Sequence, residues 1–274
     1  MSTPRPAPLR IGTRVVVRHL IEGGERATDT VGELVCSTDV DVVVRSRQGD
    51  VSIARADVVV AKEVPPPPWR LAAFLRRAGV AVLDLDGVLR TFDADGARSR
   101  SERELGLDHM GFLDVAFNLP SARAMVIGDG TYAGWVADLR ARLLELGHAE
   151  PLVTRAMERW ERDRGTPIAS TVELLEEIAG RGTPTFVFTN GTDRVPHELE
   201  QIGLGHLVPM LLNSHVLGFA KPAPEAYAVA HAEIERRLGR PVGRAEVHFT
   251  DDRVGNVDAA REFGWQAQVF APPR

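Results

Sequence analysis

Residues 81–89 (AVLDLDGVL) constrain the fold more than any other segment, because an apolar run ends there in two carboxylates one residue apart and a glycine. Alternate side chains of a β-strand point the same way. We therefore expect Asp84 and Asp86 to leave the carboxyl end of a buried strand together, where open α/β sheets bind their ligands. Such a pair suits a cation and an electrophile, although a plain Asp-Gly turn after a strand fits the same residues.

Two later segments also end an apolar run with polar residues. Residues 186–191 (FVFTNG) are rich in aromatic and β-branched residues and end in Thr189 and a turn. Residues 247–252 (VHFTDD) end in two adjacent acids, which repel each other unless a cation or a lysine lies nearby. Residues 256–260 begin a helix-like segment behind them. Each segment taken alone also fits an ordinary strand end.

A lysine directly precedes a proline in residues 218–222 (GFAKP). The proline biases Lys221 toward an extended conformation, and Pro222 is expected to open a helix over residues 223–234. A single lysine is usually just solvated. Near the acidic strand ends, however, it would offset the clustered negative charge.

Taken in this order, the four segments resemble the four motifs of the haloacid dehalogenase superfamily of aspartate-nucleophile phosphotransferases. The match runs from about residue 80 to residue 270. The separations between Asp84, Thr189, Lys221 and Asp251 are 105, 32 and 30 residues, which leaves one generous insertion after the first motif. This spacing suits family members whose helical cap follows the first motif. The joint pattern is far more specific than any of its parts.

The resemblance implies an α/β fold with a Rossmann-like parallel sheet core and a helical cap insertion. The core is expected over residues 79–90 and 168–274, and the cap over about 91–167. Helices alternate with strands after the cap, which independently favours a parallel sheet covered on both faces.

Helical spacing of apolar residues predicts several helices around these motifs. They cover residues 69–78, 102–107, 132–146, 151–163 and 172–180. Ser170 or Thr171 is expected to cap the last of them. Residues 118–130 are predicted to be the least regular loop of the cap. Trp135 falls on an apolar stripe and is expected to belong to the cap's core rather than to bind substrate.

Four consecutive prolines at residues 65–68 cannot continue a strand ladder or a helix, so they divide the chain into residues 1–66 and 67–274. Short strands are predicted in the first part over residues 13–20, 31–37, 41–47, 51–54 and 58–60. Such a domain is a small all-β barrel and resembles the Src-homology-type barrels. Similar segments precede acetyltransferase domains in some bacterial proteins. Its role is unknown, and contact with a protein partner or support of the catalytic domain is expected.

Composition limits the partners and the compartment. The net charge is −5, and the first 66 residues hold nine basic and nine acidic residues, so nucleic-acid binding is not expected. Cys36 is the only cysteine, which excludes an intrachain disulfide and a cysteine-based zinc site, and it is expected to be a small buried hydrophobe. The chain shows neither a membrane-length apolar run nor an apolar signal-peptide core at its start. We therefore expect a cytoplasmic protein with no membrane contact.

Matched position by position, the resemblance implies a role for each motif residue. Asp84 is the implied nucleophile, which attacks phosphorus and becomes an aspartyl phosphate. Asp86 is the implied acid that protonates the departing alkoxide and the base that later activates water. The Thr189 side chain, the backbone N–H of Asn190 and the Lys221 ammonium are implied to hold the phosphoryl oxygens.

The resemblance also implies a Mg2+ ion, which prefers hard oxygen ligands. The implied ligands are Asp84, the backbone carbonyl of Asp86, and Asp251. Asp252 is expected to orient Lys221 or a metal-bound water. Gly87 and Gly191 are expected to support the turns that follow the first two motifs.

An acid at position 86 favours phosphoryl transfer, because the dehalogenase branch of the superfamily expels a halide that needs no proton. A phosphatase acting on a small phosphorylated metabolite is therefore the first hypothesis and a phosphomutase the second. A dehalogenase is a further alternative, and a catalytically silent protein that binds phosphate or a partner is the non-enzymatic one. The sequence indicates neither the physiological ester, nor the cap residues that contact it, nor the oligomeric state.

Overall fold

The structure, a computed structural model, describes residues 10–46, 48–64, 69–93 and 96–273. The chain divides into two compact units, the first ending before Trp69 and the second running from Trp69 to Pro273. The tetraproline segment and Arg47, the predicted end of the third strand, lie outside the described residues. Within the described ranges, no helix is both long and apolar enough to cross a bilayer.

The first unit is a five-stranded antiparallel sheet in the order β4-β3-β2-β1-β5. Its strands are β1 (Arg14–Ile21), β2 (Arg26–Ser37), β3 (Asp41–Ser46), β4 (Gly49–Ala54) and β5 (Val58–Glu63). Alternating apolar residues face one side and form a small core of Val15, Val17, Leu34, Val42, Val44 and Ile53. The two-residue alternation of apolar residues that predicted these strands is therefore the one that places their side chains in the core.

Two details of this unit differ from the prediction. The second strand begins at Arg26 rather than at Val31, because residues 26–33 pair with β1, from Arg26 opposite Ile21 to Glu33 opposite Arg14. Residues 26–29 are all exposed, so this part of the strand has no buried apolar alternation that the sequence could show. Cys36 is free and only partly buried, whereas a small buried hydrophobe was expected.

The second unit alternates helices and strands around a helical insertion. Its first elements are α1 (Arg70–Leu75), β6 (Val80–Leu83), β7 (Arg90–Thr91), α2 (Ala97–Leu105), α3 (Gly111–Phe117), α4 (Pro120–Val126), α5 (Tyr132–Glu145), α6 (Glu150–Arg162) and β8 (Thr166–Pro167). The remainder are α7 (Ala169–Gly180), β9 (Thr185–Thr189), α8 (Val195–Gln201), β10 (Leu211–Asn213), α9 (Ser214–Leu217), α10 (Pro224–Leu238), β11 (Val247–Asp251), α11 (Val254–Phe263) and β12 (Gln266–Val269).

Five of these strands form a parallel sheet in the order β10-β9-β6-β11-β12. The central strand, β6, is buried on both sides. Ala81 and Leu83 join the apolar cluster on one face of the sheet, whereas Val80 and Val82 join the cluster on the other. This arrangement confirms the predicted Rossmann-like core and places residue 84 at the carboxyl edge of the sheet's middle strand.

Helices α2 to α6 form the cap, which leaves and rejoins the core through the antiparallel pair β7 and β8. The cap has its own apolar core, in which Trp135 is 1% exposed and donates its indole N–H to the carbonyl of Ala116 at 2.7 Å. Trp135 is thus a core residue, as predicted. Helix α2 begins five residues before the predicted start at residue 102, and it ends where Gly106 adopts a left-handed conformation.

Three local predictions in this unit were wrong. Residues 118–130 contain helix α4, because Pro120 suits the first helical turn and Ala122 and Met125 are buried. Helix α7 begins at Ala169 after an extended Ile168, so neither Ser170 nor Thr171 caps it. Helix α10 begins at Pro224, with Ala223 as the N-cap, rather than at Pro222.

Candidate active site

Three polar strand ends meet at the carboxyl edge of the sheet. Asp84 directly follows β6, and its backbone N–H donates to the carbonyl of Thr250 in the neighbouring β11 at 2.9 Å. Asp251 is the last residue of β11, and Thr189 is the last residue of β9 on the other side of β6. All three residues are buried, at 7% exposure or less. Parallel strands therefore bring together residues that lie 105 and 62 positions apart in the sequence.

Lys221 lies at the centre of this group. Its Nζ donates to Asp84 Oδ1 at 2.8 Å, to Asp251 Oδ2 at 2.6 Å and to the carbonyl of Phe188 at 2.7 Å. All three donors of the ammonium are used, and the side chain is only 1% exposed. A buried cation with two carboxylate partners and a third acceptor is held rigidly.

The Asn190 side chain fixes the backbone of this lysine. Its Nδ2 donates to the carbonyl of Lys221 at 2.7 Å, and its Oδ1 accepts from the backbone N–H of Lys221 at 2.8 Å. The sequence resemblance implied a role only for the backbone N–H of Asn190. The side chain has a second task, which is to align the lysine segment with the strand ends.

Asp84, Asp251 and Asp252 form a cluster in which one oxygen from each lies within 4.8 Å of the others. Burial raises the pKa of Asp84 to about 7, and repulsion from Asp251 adds to this, while the ammonium of Lys221 opposes it. Partial desolvation and the negative charge of Asp251 likewise raise the pKa of Asp252. The cluster holds three acids and only one lysine, so its negative charge is not balanced. A divalent cation would therefore fit among these hard oxygen ligands.

The two neighbouring acids of this cluster differ in their surroundings. Asp251 is fully buried, and its two oxygens accept from Nδ2 of Asn256 at 3.0 Å each, from the backbone N–H of Arg253 and from Lys221. Asp252 is exposed and lies against Gly87, where an added Cβ would come 2.5 Å from Asp252 Oδ2. Gly87 also has φ +82, so a glycine is needed there for both space and conformation.

The carboxylate of Asp86 pairs with an arginine that was not predicted as a site residue. Asp86 Oδ1 accepts from Nε of Arg90 at 2.7 Å, and Oδ2 accepts from Nη2 at 3.2 Å. The side chain of Asp86 remains 47% exposed, whereas that of Arg90 is 3% exposed. The sequence offered one signal for this pair, which is an arginine four residues after an acid.

The turn that contains Gly191 is tied to the cap. The backbone N–H of Gly191 donates to Oγ of Ser214, whose hydroxyl lies 2.8 Å from the carbonyl of Val126 in α4. Asp193 accepts from the backbone N–H of Tyr132 at the start of α5 at 2.9 Å. A Cβ at Gly191 would approach Asn213 Oδ1 and a methyl group of Val195 to 2.8 Å each. No sequence pattern indicated the hydrogen bonds to the cap, because they join residues far apart in the chain.

Comparison with known proteins gives two family matches. Residues 78–264 match the model of haloacid dehalogenase-like hydrolases, and residues 9–62 match the Rv0428c N-terminal Sm-like domain. The second match agrees with the predicted small β domain and describes it as Sm-like rather than as Src-homology-type. A hydrolase of Schizosaccharomyces pombe is 31% identical over 83 residues, which are 30% of this chain and 36% of that protein. The chain thus matches about a third of the length of this curated relative.

Solved structures show the same fold at low sequence identity. A dehalogenase has a TM-score of 0.51 at 21% identity, covering 69% of this chain and 82% of its own. A family enzyme from Bacteroides thetaiotaomicron, solved as a magnesium complex, has a TM-score of 0.50 at 17% identity, covering 70% and 93%. An L-2-haloacid dehalogenase has a TM-score of 0.50 at 19% identity, covering 69% and 84%. The family match spans more than half of the chain and agrees with the parallel sheet, its cap and the order of its motifs, and the chain belongs to the haloacid dehalogenase-like hydrolases.

Proposed function

We propose that the chain is a Mg2+-dependent phosphatase that hydrolyses a small phosphorylated metabolite through an aspartyl phosphate on Asp84. The observation that carries this proposal is the contact of Lys221 with Asp84 and Asp251 inside a cluster of three acids. A nucleophilic carboxylate in such a cluster needs cations around it, and cations attract an anionic electrophile. A phosphate monoester is such an anion, and its hydrolysis is very slow without catalysis.

Two carboxylates then perform the reaction. An oxygen of Asp84 forms a bond to phosphorus, the bond from phosphorus to the ester oxygen breaks, and Asp86 gives its proton to the departing alkoxide. In the second half-reaction Asp86 takes a proton from water as the water oxygen bonds to phosphorus. Asp84 leaves as a carboxylate, and Asp86 has regained the proton that it gave.

The phosphoryl oxygens need donors while charge shifts onto them. We assign this role to Lys221, to the hydroxyl of Thr189 and to the backbone N–H of Asn190. Lys221 contacts Asp84, so a phosphoryl group bound to Asp84 would lie beside this ammonium, which would exchange one of its present acceptors for a phosphoryl oxygen. A bound Mg2+ ion would supply the additional neutralisation that this lysine alone cannot give to three acids.

The hydrogen bonds favour one change in the ligand set that the resemblance implies. The oxygens of Asp251 already accept hydrogen bonds from Asn256, Arg253 and Lys221, so few of their lone pairs are left to bind a metal ion. Asp252 is the exposed carboxylate of the cluster. We therefore assign the carboxylate ligands to Asp84 and Asp252, keep the backbone carbonyl of Asp86, and give Asp251 the task of positioning Lys221.

The alternatives within the family make different chemical demands. A dehalogenase needs neither an acid for its halide nor a cation for a phosphate, so Asp86 and the acidic cluster count against it. The similarity to solved dehalogenases supports the fold and not the reaction. A phosphomutase would need the aspartyl phosphate to survive until a second sugar hydroxyl arrives.

A panel of substrates distinguishes these reactions. The full chain with Mg2+ is expected to release inorganic phosphate from small phosphate esters, and no halide from 2-haloacids. Halide release without phosphate release would show a dehalogenase and overturn the proposal. Movement of phosphate between two hydroxyls of one sugar phosphate, with little free phosphate, would show a mutase.

The first unit is expected to be dispensable for the chemistry. Every residue assigned to the reaction lies after residue 69, and the second unit has its own apolar clusters. Residues 67–274 expressed alone should therefore fold and keep most of their kcat/KM toward small esters, while the Sm-like unit serves contact with a protein partner. A loss of more than about a hundredfold, or about 2.7 kcal/mol of transition-state stabilisation, in a folded truncated protein would contradict this division.

A further inference from the structure

The second unit contains a buried arginine with two carboxylate partners, and the proposed reaction does not yet use it. Arg90 is 3% exposed and places Nε and Nη2 on the two oxygens of Asp86. Its Nη1 donates to Glu198 Oε2 at 2.9 Å, and the Glu198 side chain is itself 14% exposed. This geometry fixes the orientation of the buried guanidinium, because its planar N–H groups bind a carboxylate at two points.

The surrounding backbone fixes this guanidinium in place. The backbone N–H of Arg90 donates to the carbonyl of Leu85 at 2.8 Å, and its carbonyl accepts from Gly87 at 2.7 Å, so the turn after β6 closes on itself. A Cβ at Gly165 would come 2.9 Å from Cγ of Arg90, which shows how closely the end of the cap packs against it. The carbonyl of Arg164 lies 3.4 Å from Nη1.

The contrast between the two partners of this pair indicates what the arginine does. The carboxylate of Asp86 is 47% exposed, and an aspartate in that position would ordinarily rotate freely in water. Both of its oxygens are instead bound by a group that cannot move. Each oxygen keeps a further lone pair on its open side, where a leaving group or a water could be reached.

We propose that Arg90 is a positioning residue that orients the carboxylate of Asp86 for proton transfer, and that Glu198 holds Arg90 in place for this purpose. The inference rests on the proposed phosphatase function. Proton transfer by a positioned side chain typically contributes about 10²- to 10⁴-fold to a rate, and it depends on correct geometry. A lysine at position 90 could reach only one oxygen of Asp86 and would position it less well.

The proposal makes a prediction that depends on the leaving group. An ester of an acidic phenol, such as 2,4-dinitrophenyl phosphate, expels its leaving group without a proton, whereas phenyl phosphate benefits strongly from one. Loss of the positioning contact should therefore slow phenyl phosphate more than 2,4-dinitrophenyl phosphate. Loss of general structural integrity would slow both alike.

The experiment compares kcat/KM for these two esters in the full chain with saturating Mg2+. Arg90→Met should widen the preference for 2,4-dinitrophenyl phosphate by about tenfold or more, and Arg90→Lys should widen it less. Arg76→Met is the matched control, because it removes a bidentate arginine pair with Glu177 on the surface and should leave the preference unchanged. In an Asp86→Asn background, Arg90→Met should widen the preference no further, since the group that it positions is gone.

Two results would overturn the inference while the phosphatase proposal stands. Equal losses for both esters in Arg90→Met and Arg90→Lys would make Arg90 a purely structural residue. Faster hydrolysis of phenyl phosphate in either variant would mean that Arg90 withholds Asp86 from the reaction. If circular dichroism shows that Arg90→Met does not fold, Arg90→Lys is used for the test in its place. A parent chain that hydrolyses neither ester overturns the proposed function, and this inference with it.

Discussion

Asp84→Asn is expected to lower phosphate release by several powers of ten while the protein stays folded. The substitution removes the charge that attacks phosphorus, and loss of an essential nucleophile has effects of that size. Asparagine has nearly the same shape and can still accept a hydrogen bond from Lys221 at the strand end. Phosphate release from p-nitrophenyl phosphate is the assay, and activity within about tenfold of the parent would contradict the role of Asp84.

The same variant has an expected effect on stability, which serves as the control for folding. The pKa of Asp84 is raised from 3.8 to about 7 in the folded protein, chiefly by burial, so its charge opposes folding at high pH. Without Mg2+ the variant should therefore melt at a higher temperature than the parent at pH 8. The difference should shrink as the pH falls from about 7 toward 4, where the parent also binds the proton. Asp258→Asn, at an exposed acid on α11, should show neither effect.

Removal of Mg2+ is expected to abolish turnover, and its return to restore it. Asp252→Asn should raise the Mg2+ concentration needed for half-maximal activity by at least about tenfold, because a hard cation loses a charged oxygen ligand. Asp251→Asn should instead lower activity even at saturating Mg2+, because Lys221 loses one of its two carboxylate partners. Titration calorimetry of Mg2+ binding gives a second readout that does not depend on activity.

Two outcomes of these metal experiments would count against the account. Full activity in a metal-stripped sample would refute the need for a cation and favour a dehalogenase-type reaction. A larger loss of Mg2+ affinity in Asp251→Asn than in Asp252→Asn would restore the ligand set that the sequence resemblance implied. Asp258→Asn, at an exposed acid on α11, is a suitable control for the loss of one carboxylate.

Much of the site could be predicted from the sequence, because its strands are short apolar runs that end in polar residues. The buried strand β6 and the runs that end at Thr189 and Asp251 carry this signal clearly, and parallel strands bring their ends to one edge of the sheet. Lys221 became interpretable only through the motif order, since a single lysine before a proline has no local meaning. The fold class followed from the same alternation of helices and strands.

The parts that could not be predicted depend on contacts across the fold. The different surroundings of Asp251 and Asp252 are set by Asn256 and Lys221, and adjacent identical residues look alike in a sequence. The pair of Arg90 with Glu198 joins residues 108 positions apart. Helix α4 was missed because its seven residues are too few to show a clear helical period, and its stabilisation comes from burial of Ala122 and Met125 in the cap.

Detection of the covalent intermediate tests the central claim most directly. The full chain is mixed with a phosphate ester and Mg2+, quenched in acid within the first turnover, digested and analysed by mass spectrometry. The account predicts one phosphoryl group on the peptide that contains Asp84, absent in Asp84→Asn and lost again when the reaction is allowed to finish. A phosphate ester that is hydrolysed while this peptide stays unmodified, or a phosphoryl group on any other residue, would contradict it.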